Sequence, residues 1–549
     1  MYATLVPGSE RQRQWRLGWW DRFQLAAGLG PSLARFAVAG ALVTGMVLLG
    51  ASVGASDLVI YNGLGRPVIV HVGEQQYRLS PFIKVEVDGL PGDAVHIVAE
   101  TTTNLWIEEL DEPLEGGFQR YVYNVAGAAA LVRWTAVYGN AQIPPDRPLG
   151  APRWTTTDAS IVFERPPTQL ATKGTTKSVL TAFAEGHASH VLSTVGDEAT
   201  RAGLIRAHAV WDDASGSATE EWLRLAMALP DFAEILKRRL ARDARDILAM
   251  RVEQDQPDVA AKAEACAGHR RLAQENPGDG DLVYLAIRCE PKGPARDEAL
   301  LAAQERAPQS LWLALAAGHI HARRAEWKEA LACWKIAQGS DALAARVALD
   351  SARVVRILGP RLDGELQFLA HRSAELRQYL ALEEGLDRTP GRGAAYVKLA
   401  SGALAEAAEA AGNDADTRAR VLRLVAASRG ATDQQIAAAD ALPAGAGIDY
   451  HTVWPAIGLA LRNKQDASSL VARMKEFADP DEVRALETFL HPEQLVKDRK
   501  AVEAAISALG PADRGHAYVL GSVILGDAAP DTWRKEARAL LFAPERPFL

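Results

Sequence analysis

His187 and His190 stand three residues apart, the spacing at which a helix turns two imidazoles to one face and could offer them to a metal ion. No third ligand with suitable spacing accompanies them, so a solvated helix face is expected and no metal ligand is assigned. Gly174-Thr-Thr-Lys177-Ser178 ends as a phosphate-binding loop ends. It lacks the upstream glycine and a strand leading into it, and reads as a helix start. His319 and His321, two apart on a helix, point to different faces, which suits packing or groove lining. Glu108, Glu109, Asp111 and Glu112 form an acidic cluster near a strand end, expected to be a solvated edge that discourages further strand pairing. The chain has no His-Glu-x-x-His helix, no Gly-x-Ser-x-Gly elbow and no complete phosphate loop. Catalytic residues and cofactors are therefore not assigned, and no enzyme is expected.

The cysteines carry a sharper expectation. Cys266 lies twelve residues before, and Cys289 eleven after, a turn centred near Gly278. In an antiparallel helical hairpin the two fall at nearly the same height, and helix axes ~8–10 Å apart bring facing Cβ atoms towards bonding range. A disulfide between Cys266 and Cys289 is one expectation, and three small core thiols the other. Cys333 is expected to be a buried free thiol.

The elements that would position these residues differ along the chain. Phe36 to Ser56 is uncharged, about the 20 residues that a spanning helix needs, and follows a leader bearing Arg11, Arg13, Arg16, Arg22 and Arg35. This predicts a cytoplasmic leader over 1–35, a transmembrane helix over 36–55 and a body outside the cytoplasm, in the periplasm of a cell envelope. A signal sequence cleaved after Val53-Gly54-Ala55 is the rival reading. Net charge is −8; the leader's five arginines against Glu10 and Asp21 leave −11 for the rest, which argues against nucleic acid as a partner.

From Asp57 to Gly139 the hydrophobic period is two. Val68, Val70 and Val72 alternate with Ile69 and His71, and Val95, Ile97 and Ala99 with His96. Half-buried antiparallel strands are expected, seven or eight in a small sandwich, with turns at Gly73-Glu74 and Pro91-Gly92. In architecture this resembles the immunoglobulin-like or PEGA-like β-modules of bacterial envelope proteins. Residues 140–177, with Pro144, Pro145, Pro148, Pro152, Pro166 and Pro167, read as a semi-extended linker, with one strand at Ile161-Val-Phe163.

From 178 to 549 the period is helical, with Pro or Gly breaks every fifteen to twenty-five residues. Within Ser310 to Ala342, Gly318, Ala330, Trp334 and Ala337 follow one another at spacings of twelve, four and three. Ala299 and Ala303 echo Ala330 and Trp334 earlier in the chain. Over about Asn276–Ala342 the chain resembles a tetratricopeptide repeat, in which a glycine admits small residues of the second helix and an aromatic fills the gap. It departs from that pattern at Ala314, Ala317, His321 and Ala342. The resemblance implies a helical solenoid that binds a protein or peptide. The fold class expected is α+β multidomain: one N-terminal transmembrane helix, a small antiparallel β-sandwich, then an all-α TPR-like solenoid. The function expected is a membrane-anchored scaffold for a protein or peptide partner. The alternative is a cell-envelope glycan-processing enzyme with an α-superhelical domain, although the Glu-Ser dipeptide of lytic transglycosylases is absent.

Overall fold

The computed structural model describes residues 18–19, 26, 28–53, 56–90, 92–115, 119–138, 143–167, 175–216, 218–359, 363–383, 392–412, 414–443, 445–477, 480–491, 495, 497, 499–507 and 509–549. Most of the leader, including Arg11, Arg13, Arg16 and Arg22, lies outside them, as do Pro91 and Gly174. Two units are distinguished, one formed by Met1–Asp213 with Glu221–Arg242, the other by Ala214–Glu220 with Asp243–Leu549.

The expected membrane-spanning helix over 36–55 is corrected, and with it the single-pass topology, cytoplasmic leader and periplasmic body. Helix α1 is Leu29–Val53. Among the described residues no helix is long and apolar enough to cross a membrane. Absence of charge is not apolarity: over Leu29–Thr44 the helix carries Gly30, Ser32, Arg35, Gly40 and Thr44.

In the first unit the period-two pattern becomes strands β1 (Ser56–Tyr61), β2 (Val68–Val72), β3 (Gln75–Leu79), β4 (Lys84–Leu90), β5 (Ala94–Thr101) and β6 (Trp106–Pro113). β7 (Arg120–Asn124), β8 (Ala130–Tyr138), β9 (Arg147–Gly150), β10 (Trp154–Thr157), β11 (Ile161–Val162) and β12 (Thr175–Phe183) follow. They form three four-stranded sheets, ordered β3-β2-β5-β6, β10-β7-β1-β4 and β11-β12-β8-β9. β1 explains the layering. Its Leu58 and Ile60 share a core with Val70 and Ile97 of the first sheet, whereas Val59 and Tyr61 share another with Leu131 and Leu180 of the third. Alternate side chains of one strand thus bury in two cores. Gly73, at φ +57°, makes the β2–β3 turn that its position predicts.

The stretch read as a linker contributes β9, β10, β11 and the start of β12. Thr155–Thr157 of β10 pair with Tyr121–Arg120 and Val122 of β7. Short threonine-bearing strands between prolines carry too few apolar residues to register as strands, yet threonine fits a pleated edge. Helices α2 (Ala188–Ser193), α3 (Glu198–Trp211), α4 (Thr219–Ala226) and α5 (Phe232–Arg242) come next. α3 is capped by Asp197, which accepts from Thr200 N at 2.8 Å. Buried His208 of α3 fixes it to the sheets: Nε2 meets the Ala128 carbonyl at 2.8 Å and Nδ1 the Asp212 carboxylate at 2.9 Å.

The second unit is helical hairpins: α6 (Ile247–Gln254), α7 (Val259–Glu275), α8 (Gly280–Arg288), α9 (Pro294–Arg306), α10 (Leu311–Arg323), α11 (Trp327–Ala337), α12 (Asp341–Leu358), α13 (Asp363–Arg372), α14 (Ala374–Glu383) and α15 (Arg392–Ala400). They continue through α16 (Leu404–Ala410), α17 (Ala415–Ala426), α18 (Asp433–Asp440), α19 (Val453–Arg462), α20 (Ser468–Phe477), α21 (Pro480–Phe489), α22 (Arg499–Ser507), α23 (Pro511–Leu525) and α24 (Asp531–Leu540). Several breaks fall at proline or glycine, as at Pro277-Gly278, Pro308 and Gly510-Pro511, whereas Arg324–Glu326 and Ser373 break helices without either. Aspartate or serine opens several helices, Asp258 accepting from Ala261 N at 2.7 Å and Ser310 from Leu313 N at 3.2 Å.

The leading helices touch in succession, α6 to α8, α8 to α10, α10 to α12 and α12 to α14, and again α15 to α17, α17 to α19 and α19 to α23. α23 and α24 return to pack on α12, so the row closes on itself. Beyond α24, Phe542, Glu545 and Leu549 are buried. Phe548 N donates to Ser428 Oγ at 2.9 Å and its carbonyl accepts from Arg429 N at 2.8 Å.

Candidate functional site

The four residues read as repeat packing sit in the α10–α11 hairpin. Gly318 lies on α10 and Ala330, Trp334 and Ala337 on α11, all buried. A Cβ at Gly318 would stand 2.4 Å from the Trp334 indole, so only glycine lets that ring enter. Cys266 at the middle of α7 and Cys289 at the end of α8 form a disulfide, with Cα atoms 5.7 Å apart. Cys333 is free and buried, and burial pushes its thiol pKa up.

The residues weighed for metal binding are not gathered. His187 meets Glu221 at 3.5 Å, while His190 lies edge-on to Phe183. Among the described residues no group of three or more His, Cys, Asp or Glu is placed to hold a metal ion. His321 pairs with Glu326 at 2.6 Å. Glu108, expected on a wet edge, is buried: its Oε1 accepts from Tyr123 Oη at 2.8 Å and from Ala126 N at 2.5 Å.

Sequence reasoning missed the polar wall of the helical unit, where α6, α10, α12 and α23 contribute charged side chains. Arg251 of α6 is buried with its guanidinium 4.6 Å from the Trp312 ring centroid, and its Nε has no hydrogen-bond partner among the described residues. Glu220 lies 3.9 Å from Arg251 and forms an ion pair with Arg346 of α12. His319 of α10 packs edge-on against Trp334, ring centroids 5.3 Å apart. Burial drives its pKa down to about 4; Asp350 opposes this, while Arg346, Arg323 and Arg251 reinforce it.

Further along α12, Arg353 bonds Asp350 at 2.9 Å and pairs with buried Glu545. Tyr450 Oη donates to Asp513 of α23. Burial, with the Asp350 charge behind it and Arg353 against it, pushes the Asp513 carboxyl up to about 7. His451 Nδ1 lies 3.2 Å from His516 Nε2, and the buried His516 Nδ1 has no hydrogen-bond partner among the described residues. Burial depresses both histidines, so the pair is neutral at ordinary pH. The wall therefore combines fixed arginine charge, neutral imidazoles and one carboxyl that can hold its proton near neutrality. One sequence signal was available: Asp513 and His516 form a polar i,i+3 pair in the otherwise largely apolar helix α23.

Comparison with protein-family models, with curated proteins and with solved structures found no match for this chain.

Proposed function

We propose that this chain is a binding protein whose helical unit takes an acidic polypeptide segment along its leading helices, in the manner of a TPR-like solenoid. One observation carries the reading: Arg251 and Arg346, with His319 between them, stand on leading helices that touch in succession. A row of hairpins offers an extended polypeptide one continuous surface, and guanidinium groups select carboxylates by fork geometry. The unsatisfied Nε of buried Arg251 supports an anionic occupant, because an isolated buried donor is costly.

The test is anisotropy titration of a fluorescein-labelled Glu/Asp-rich peptide and a Lys-rich peptide of equal length. Salt-sensitive binding of the acidic peptide is expected, weakened about tenfold by Arg346→Ala, the size of a charged interface anchor. Equal binding of both peptides, or indifference to Arg346→Ala, overturns the reading.

A further inference from the structure

The β-rich unit holds a second feature that the helical wall does not explain. A cleft of about 790 Å³ opens between the start of β6 and helices α3 and α5. Its volume falls in the ~300–1,000 Å³ range of small-molecule sites. Leu105 and Trp106 on one side, and Leu204 and Trp211 on the other, line it with apolar surface. Trp106 is 62% exposed and Leu105 37%, two adjacent large apolar side chains left to water at the lip. Exposed apolar surface concentrated beside a cleft marks a site for an apolar ligand more than a scatter of single residues would.

Positive charge predominates in the lining. Arg153, Arg206, Arg238 and Arg242 contribute to it, against the single carboxylate of Glu108. Glu108 is turned inward on Tyr123 and Ala126 and meets Arg153 Nε at 3.3 Å. Arg206 is clamped by Asp231 at 2.7 and 2.9 Å, which fixes its position. Arg238, 68% exposed, meets its helix neighbour Glu234 at 3.3 Å. The floor is built rather than incidental: Ala126 has φ +56°, a left-handed conformation unusual for alanine, held by the Glu108 hydrogen bond to its N–H.

We propose that this cleft binds a small amphipathic anion, an aliphatic chain ending in a carboxylate, with the chain against Trp106 and Leu204 and the carboxylate among the arginines. A bare inorganic anion leaves the tryptophan-lined part unfilled, and a neutral hydrocarbon leaves the arginines unused. Strand addition by an acidic peptide at β6 is opposed by Glu109, Asp111 and Glu112 along the same edge.

The experiment titrates decanoate and, separately, decanol into the full chain by calorimetry, with tryptophan fluorescence as a second readout. Saturable one-to-one decanoate binding is expected, at least about tenfold tighter than decanol, the effect of charge-assisted pairing at a partly desolvated site. Trp106→Ala should weaken both ligands about tenfold, as truncation of an aromatic anchor does. Arg238→Gln should weaken decanoate and leave decanol within about twofold, since only the charge changes. Both side chains are exposed, so neither change threatens the fold. Equal affinity for decanoate and decanol, unaltered affinities in both variants, or no saturable binding overturns the proposal.

Discussion

Gly318 and Trp334 occupy one volume: a single added carbon at the glycine would reach to 2.4 Å from the indole. The ring is completely buried between α10 and α11, and His319 closes over its edge. Gly318→Ala should therefore destabilise the helical unit by about 1–3 kcal/mol, the usual cost of overpacking. Trp334→Ala should cost about 3–5 kcal/mol through lost burial and a cavity. The double variant should cost less than the sum, because the alanine methyl enters the space the indole vacates. Urea unfolding of the three variants checks this.

The Cys266–Cys289 bond closes a loop of 23 residues across the α7–α8 turn. Chain-entropy arguments give such a loop about 3 kcal/mol of stabilisation. Cys266→Ser should lower the unfolding midpoint by a matching amount, with no further change on adding reductant. Mass spectrometry after alkylation should show only Cys333 reactive in the unreduced chain, and only after unfolding, since it is buried with a raised pKa.

Stability should depend on pH through opposed groups. His319 titrates near 4 when folded and near ~6.5 when unfolded, so its contribution is complete above about 6.5 and is lost as pH falls through about 4. His451 and His516 act in the same direction. Asp513, raised to about 7, acts oppositely: its contribution is complete below ~3.8 and lost as pH rises through about 7. Stability should rise with pH between about 4 and 6.5, held back by Asp513, and Asp513→Asn should steepen that rise. Denaturant midpoints measured across this window decide; an unchanged slope in the variant would remove Asp513 from the account.

Arg353 and Glu545 form a buried pair, 5% and 1% exposed. Removing one partner strands the other, so Glu545→Ala should cost about 3–5 kcal/mol. Replacing both, as Arg353→Met with Glu545→Leu, should recover much of that loss, because two apolar side chains need no charge compensation. Differential scanning calorimetry of the single and double variants separates the pair's electrostatics from the packing of the segment after α24.

Much of the local structure was legible in the residues. Val68, Val70 and Val72 announce β2 by alternation, Gly73 its turn, and Gly318 with Trp334 the close contact of a hairpin. What escaped depends on partners distant in the chain. The threonine strand β10 is a strand only because β7 is there to pair with it. Glu108 reads as a wet edge until Tyr123 and the Ala126 turn are folded around it. His516 and Asp513 carry no local pattern that names His451 and Tyr450 as neighbours. The run after Phe36 lacks charge, yet among the described residues no helix is long and apolar enough to cross a membrane.

The return of α23 and α24 to α12 also governs when the chain can finish folding. Arg353 and Glu545 stand 192 residues apart in sequence. During synthesis, most of the helical unit must emerge before the partner of Arg353 exists. Hairpins such as α10–α11 can form early from neighbouring residues, but one side of α12 stays uncovered until α23, α24 and the segment after them arrive. A ribosome that pauses before α23 therefore holds a nascent chain with an open apolar flank, the state most exposed to misassociation and most in need of a chaperone.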